Sequence, residues 1–315
     1  MVAFLVRRVG LAVLSLALIS FLAFGMVHAV PGSAAVAVAG TGDPDAIAEI
    51  EVQLGLDRPL VEQYLSWAGN ALRGDFGEAL VSNRGQAVSD LLIDRLPATL
   101  ALGIGGLLVS LVVGIPAGVM AALRPAGRLD RVVLALGSLW LAIPNFVFAI
   151  FAVRWLGAEL GWFPVIGLPA VSDDPVGWLR ALVLPSVSLS LGAGAIVARQ
   201  SRGAVIDVLQ RDYIRTALAN GVPFGRVVRR HALRNASAPV LTVIGFQAVT
   251  ILGGTVVVEQ VFAIQGLGQL GLSAVLEQDF PVVQAFVMLT AVLVVAVNMV
   301  VDAGYAWADP RVAVR

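Results

Sequence analysis

Six stretches of predominantly apolar residues, each near the length that crosses a lipid bilayer, dominate this chain. A membrane-spanning helix needs about 20 such residues, and the qualifying stretches are residues 9–30, 98–123, 132–156, 181–197, 240–258 and 282–301. Charged residues make up only 13% of the chain, whereas a soluble domain carries about 25%. The sequence therefore predicts an all-α integral membrane protein with six transmembrane helices.

The first apolar stretch follows Arg7 and Arg8, as a secretory signal peptide would. It is longer than the roughly 7–15 apolar residues of such signals and no clear cleavage site ends it, so we interpret it as a retained anchor. The predicted divisions are residues 1–30 (N-terminal end and first transmembrane helix), 31–97 (small external helical domain) and 98–315 (core with five further transmembrane helices).

Arginine placement predicts the orientation. Short cytoplasmic loops carry an excess of basic residues, and 15 of the 21 arginines fall before the first stretch, in alternate connections, or after the last stretch. Only six fall on the other side. We expect a multi-pass protein of the cytoplasmic membrane with both termini inside the cell.

The predicted external region, residues 31–97, contains ten acidic residues together with Tyr64, Trp67 and Phe76. Gly55 and Gly74 are typical of positions where short helices end. We expect two or three short helices in this region.

The segment 212–239 interrupts the apolar chain with five arginines and one acid. Asp212 is placed to cap a short helix running through Asn220, Gly221 to end it in left-handed geometry, and Pro223 to begin a second helix. A positive-inside loop that binds anionic membrane lipid is one interpretation. Its length and hinge favour a docking surface.

Several motifs resemble one family along essentially the whole chain. The stretches YIRTALANG (213–221) and HALRN (231–235) with Pro239 resemble the EAA-type loop of ABC importer permeases, in particular the dipeptide/oligopeptide/nickel branch. Further matching stretches, in family order, are LGLDRP (54–59), GDFG (74–77), LPATL (96–100), IPNF (143–146), GG (253–254), VEQVF (258–262), GLG (266–268) and DPR (309–311). Arg215 replaces the glutamate of the wider superfamily, and EA (78–79) and QA (86–87) replace residues that are more often serine and proline in this branch.

The resemblance implies the MetI-like fold of a type I ABC importer and a role as the permease subunit that forms half of a peptide pathway. It implies a second homologous permease subunit in a heterodimer, two cytoplasmic ABC ATPase subunits or domains, and an external substrate-binding lipoprotein. The segment 212–239 would be the ATPase-coupling loop, with Ala217 and Gly221 where the ATPase comes closest. The coupling residues are Tyr213, Arg215, Thr216, Ala217, Leu218, Gly221, Val222, Arg226, His231, Arg234 and Asn235.

Gln247, Thr250 and Gly254 recur at helical spacing in the fifth stretch and would share one face. An amide in hydrocarbon is costly unless it meets partners or water, so this face either lines the pathway or makes interhelical hydrogen bonds. Glu259, near the outer end of the same stretch, is expected at a solvated helix end rather than at a gate or a partner contact.

Small and imino residues predict packing within the spans. Gly114 and Gly118 form a GxxxG pair, typical of close helix contact. Three prolines fall inside predicted spans: Pro116, Pro144 and Pro185. We favour a role for them in packing between helices over a role as bends that shape a transport path.

Other functions are disfavoured by what the sequence lacks. The sequence has no cysteine, only two distant histidines and no GxxxxGK[ST] phosphate loop. We therefore expect no catalytic site, no metal site and no bound cofactor in this chain. ATP and Mg²⁺ are expected to be used by the partner ATPases. The net charge of zero gives no basis for nucleic-acid binding. Two alternatives remain: a nickel-complex permease of the same branch, and an ion-coupled secondary transporter, which would predict inverted repeats and mid-membrane acids.

Overall fold

The computed structural model describes residues 2–29, 44–53, 57–81 and 83–308. The predicted helix stop at Gly55 and the motif at 309–311 lie outside these residues. The elements are α1 (Val2–Ala29), α2 (Pro44–Gln53), α3 (Leu60–Ala71), α4 (Val88–Leu123), α5 (Arg128–Ala142), α6 (Asn145–Phe151) with a π-helical continuation (Ala152–Glu159), α7 (Pro175–Leu209), α8 (Asp212–Ala219), α9 (Phe224–Val227) with a π-helical continuation (Val228–Ala232), α10 (Leu233–Val261), α11 (Leu267–Glu277) and α12 (Phe280–Ala308).

Five helices of the described part are long and apolar enough to cross a membrane, and they coincide with five of the six predicted stretches. They cover Arg7–Met26, Val88–Leu123, Pro175–Leu209, Phe224–Val261 and Phe280–Gly304. The all-α membrane fold is therefore confirmed. α4 runs through Pro116 and α7 through Pro185, so neither proline ends its helix.

The third predicted stretch, residues 132–156, is not one continuous helix but a pair of helices bent at Pro144. α5 and the α6 segment meet at 92°. Proline lacks an N–H and pushes the residue before it out of helical geometry; Ile143 accordingly adopts an extended conformation, φ −93° and ψ 119°. Trp140 and Phe148 pack edge to face across the break, with ring centroids 5.7 Å apart. A sixth crossing exists only if this bent pair counts as one span.

Backbone contacts divide the chain into two compact units. The first comprises Met1–Ala98 and Gln265–Ala296. Here Tyr64 of α3 packs on Phe21 and Phe24 of α1 and shares a 2.9 Å hydrogen bond with Ser20. An apolar cluster joins the start of α4 to α11 and α12; its buried members are Ala79, Val88, Leu91, Leu92, Leu267, Leu270, Ala274, Val282 and Ala285.

The predicted external region supplies α2, α3 and an irregular segment to this first unit. Gly74 follows α3 with φ +81°, the left-handed geometry expected of a helix stop. Asp279, at the α11–α12 turn, is 2% exposed and accepts hydrogen bonds from the backbone N–H groups of Leu80 and Val81 at 3.0 and 2.9 Å. One buried carboxylate therefore holds the irregular segment.

The second unit comprises Thr99–Ile264 and Val297–Arg315, and α7 lies at its centre. The predicted GxxxG contact is confirmed, because a Cβ built on Gly114 would lie 2.7 Å from the Gly194 carbonyl oxygen of α7. A Cβ on Gly118 would lie 2.2 Å from the Ala198 oxygen. Only glycine permits α4 and α7 to approach so closely.

Glu259 differs from the sequence expectation of a solvated helix end. It is 0% exposed, and its Oε1 accepts a 2.7 Å hydrogen bond from the Thr99 hydroxyl group. A buried carboxylate requires hydrogen-bond partners, and one of these lies 160 residues away along the chain. The burial could not be inferred from the local pattern.

Candidate functional site

The segment after α7 folds as helix, glycine turn and helix. α7 continues past the predicted span to Leu209, α8 follows, and Gly221 ends the turn with φ +80°. Pro223 is the residue before α9, with φ −56°. The predicted order of elements is confirmed; we call residues 212–235 the docking segment, after the role that the sequence predicts for them.

Asp212 does not cap α8, so that detail of the sequence interpretation is wrong. The N-cap position is occupied by Arg211, and no side chain caps the helix. Asp212 lies in the first turn, where its charge still suits the helix dipole. Its side chain is 98% exposed, 3.8 Å from Arg215, in the range where surface ion pairs contribute little.

An apolar cluster anchors the docking segment to α7. Ile214, the one buried residue of α8, is 1% exposed, and it packs with Val205 and Val208 of α7. The other buried members of this anchoring cluster are Ala122, Ala204, Val227, Ala232, Ala236 and Val240. Burying aliphatic side chains stabilises the arrangement by about 1.5–3 kcal/mol each, so α8 and the inner part of α7 are held together.

A polar contact joins the two ends of the docking segment. The Asn235 amide donates hydrogen bonds to the Tyr213 hydroxyl oxygen at 3.0 Å and to the His231 carbonyl oxygen at 2.9 Å. The structure therefore brings together three predicted site residues, Tyr213, His231 and Asn235, of which the first and last are 22 positions apart in the sequence. The contact orients α8 against the start of α10.

The outward face of the docking segment combines positive charge with apolar surface. Tyr213 and Leu218 are 42% and 40% exposed, and Gly221 has open space around it. Arg215, Thr216, Arg226 and Arg234 are exposed as well. Such a surface can receive a protein that carries acids around an apolar recess.

Ala217 and Val222 lie on the other side. Both are partly buried and pack against the anchoring cluster. Packing within this chain therefore explains why residue 217 is small. Of the two residues expected to lie closest to the ATPase, Ala217 and Gly221, only Gly221 faces outward.

The predicted pathway face does not share one environment in the single chain. Gln247 is 1% exposed, Thr250 is exposed and satisfies its hydroxyl on the Phe246 carbonyl oxygen at 2.9 Å, and a Cβ on Gly254 would meet Leu189 at 3.4 Å. Their role in a pathway stays a prediction. Among the described residues, no three acidic, histidine or cysteine side chains gather where a metal ion could bind.

Sequence reasoning missed an ion pair beside this site. Asp130, in the first turn of α5, is 2% exposed, and Arg202 of α7 donates two hydrogen bonds to its carboxylate. The sequence interpretation treated Arg202 only as one more cytoplasmic charge. No local signal connects two residues that are 72 positions apart.

Five membrane-length helices, a bent helix pair and an exposed basic segment describe a multi-pass membrane protein. Comparison with known families identifies which one. A family model described as "Binding-protein-dependent transport system inner membrane component" matches residues 114–314, and the corresponding N-terminal model matches residues 1–103. The chain belongs to this family of ABC importer permeases.

Individual relatives agree with the family. The chain is 39% identical over 313 residues to a putative peptide transport system permease protein of Brucella abortus, covering 99% of both chains. It is 37% identical over 315 residues to the oligopeptide transport system permease protein AppB of Bacillus subtilis, again covering 99% of both.

Among solved structures, the inward-facing MetNI methionine ABC transporter matches with a TM-score of 0.58 and 22% identity. The match covers 70% of this chain and 96% of that chain. It shows the shared MetI-like fold. The chain is thus a non-catalytic, multi-pass inner-membrane subunit of an ABC importer, in which ATP hydrolysis belongs to other subunits.

Proposed function

We propose that this permease forms half of a peptide pathway and that its docking segment binds a cytoplasmic ATPase subunit. The observation that carries the proposal is the two-sided construction of α8. One side, centred on Ile214, is buried in the anchoring cluster, and the other presents Tyr213 and Leu218 to solvent. A helix held firmly on one side and exposed on the other can transmit displacement.

The complete transporter then contains a second, homologous permease, two ATPase subunits or domains, and an external binding protein. ATP and Mg²⁺ bind the ATPases. In this arrangement both termini of the chain and the docking segment lie in the cytoplasm, as the arginine distribution favours. Family membership favours this scheme over ion-coupled transport.

Peptides are the proposed substrate class. Two full-length relatives are named as peptide and oligopeptide permeases. We expect labelled di- and tripeptides to enter liposomes containing the complete transporter, its binding protein and internal ATP, and we expect a nickel chelate not to enter. Uptake of the chelate without uptake of peptides would reverse this assignment.

Cysteine cross-linking tests the docking surface directly. The chain has no cysteine, so Leu218→Cys introduces a single thiol on the exposed side of α8. We expect a thiol–amine cross-linker to join it to the ATPase subunit, with a yield that ATP changes. Ile166→Cys, at a residue that is 81% exposed and predicted to lie outside the cell, is the matched control and gives no ATPase adduct. Equal yields from both positions would refute the docking assignment.

A further inference from the structure

The contact between Asp130 and Arg202 is a two-pronged ion pair. The Arg202 guanidinium donates from Nε to Oδ1 and from Nη2 to Oδ2, the latter at 2.8 Å. The Asp130 side chain is 2% exposed and that of Arg202 is 24% exposed. Paired hydrogen bonds of this kind fix orientation as well as distance.

The same carboxylate also shapes the turn between α4 and α5. Its Oδ2 accepts a 2.8 Å hydrogen bond from the backbone N–H of Ala126. Ala126 has φ +60°, a conformation that residues with a side chain rarely adopt. Asp130 therefore joins three parts of the second unit: the α4–α5 turn, α5 and α7.

Two further contacts between α5 and α7 are less directional than the ion pair. A Cβ on Gly137 of α5 would meet Ala195 at 3.6 Å, an ordinary van der Waals distance. Arg199 of α7 reaches Ser138 with a long hydrogen bond of 3.4 Å. The ion pair is the directional contact among them.

On the other side of Arg202, α7 leads directly to the docking segment. Val205 and Val208, one and two turns further along α7, pack on Ile214 of α8 in the anchoring cluster. The path from α8 to Asp130 is thus an apolar contact, an unbroken length of helix and an ion pair.

We propose that the Asp130–Arg202 pair is a positioning link that makes α5, and with it the bent pair α5–α6, follow the movement of α7 when the docking segment moves. The inference rests on the proposed docking function. Buried ion pairs add little net stability compared with apolar side chains of similar volume, because removing two charges from water is costly. Their geometry is directional, however, whereas an apolar contact can slide.

The test separates linkage from stability in the complete transporter, reconstituted with its ATPases, partner permease and binding protein. The double variant Asp130→Asn with Arg202→Met removes both charges, keeps an oxygen to accept from Ala126, and preserves side-chain volume. We measure the amount of assembled complex, binding-protein-stimulated ATP hydrolysis, and the number of labelled tripeptides taken up per ATP hydrolysed.

We expect the double variant to assemble and to hydrolyse ATP, while peptide uptake per ATP falls at least about fivefold, the low end of typical coupling between sites. Arg202→Lys, which keeps the charge without the two-pronged geometry, gives an intermediate ratio. The matched control Arg131→Met, which removes a charge at the exposed residue next to Asp130 in α5, keeps the wild-type ratio.

Two results would overturn the inference alone: a wild-type ratio in the double variant, or a loss of assembled complex and of uptake in equal proportion. Both would leave the pair as a stabilising contact in a functioning importer. A wild-type transporter that shows no ATP-driven peptide uptake would instead refute the proposed function, and the link with it.

Discussion

The close approach of α4 to α7 at Gly118 makes a quantitative prediction about stability. A Cβ at this position would lie 2.2 Å from the Ala198 carbonyl oxygen and 2.8 Å from the Ser201 Cβ. Carbon atoms pack best at roughly 3.5–4.0 Å, so the Gly118→Ala variant requires the helices to separate by on the order of 1 Å. Neither obstructing atom lies at the end of a flexible side chain that could swing away.

The matched control is Gly203→Ala in α7, where an added Cβ meets nothing within 4 Å. Both glycines lie inside helices, so replacement by alanine brings the same intrinsic gain of about 0.5–1 kcal/mol. The two variants therefore differ mainly in the clash, for which overpacking costs of about 1–3 kcal/mol are typical.

Thermal unfolding of the purified transporter in lipid nanodiscs measures this difference. A 1 kcal/mol change shifts Tm by about 2–4 °C in soluble chains of 150–250 residues, so we expect Gly118→Ala to melt several degrees below Gly203→Ala. If the two variants melt together, α4 and α7 are not in the tight contact described above.

Three further predictions concern other parts of the chain. Gly221→Ala places a side chain at φ +80°, costs about 1–2 kcal/mol of local strain, and should reduce ATP-dependent uptake without reducing membrane insertion. Asp279→Ala leaves the partly buried amides of Leu80 and Val81 without their acceptor, at a cost for each below the about 1–3 kcal/mol of a fully buried group, and should speed limited proteolysis of the irregular segment after α3. Thr250→Cys, at an exposed position, should react with a membrane-impermeant thiol reagent faster than Gln247→Cys, at a position that is 1% exposed; equal rates would show that the two positions are not distinguished in the assembled transporter.

Local sequence signals predicted the docking segment well because local chemistry determines most of it. Gly221 tolerates left-handed geometry, Pro223 suits the start of a helix, and both act within a few residues. The error at Asp212 is of the same local kind, a shift of one position at a helix start, where boundaries are least certain.

Long-range contacts explain what the sequence did not predict. Glu259 resembles a solvated helix end until Thr99 is placed beside it, and Asp130 acquires its role only from Arg202. The break at Pro144 depends on both local sequence and long-range contacts. The proline was recognised within an apolar stretch, but whether a membrane helix continues through a proline depends on its neighbours.

The bent pair gives the ion pair its importance. α5 has 15 residues and at 1.5 Å per residue is about 22 Å long, shorter than the roughly 30 Å hydrocarbon core. At the C-terminal end of α5 the chain bends at Pro144 and does not continue as a straight helix. Along its length α5 contacts α7 through small residues such as Gly137. A directional contact at one end of such a short helix limits how far the helix can slide along its neighbour. Asp130 lies at the N-terminal end of α5 and is bonded to Arg202 of α7, about one turn before Val205, which packs on the docking segment. The contact that holds this end of α5 is therefore also placed to move it.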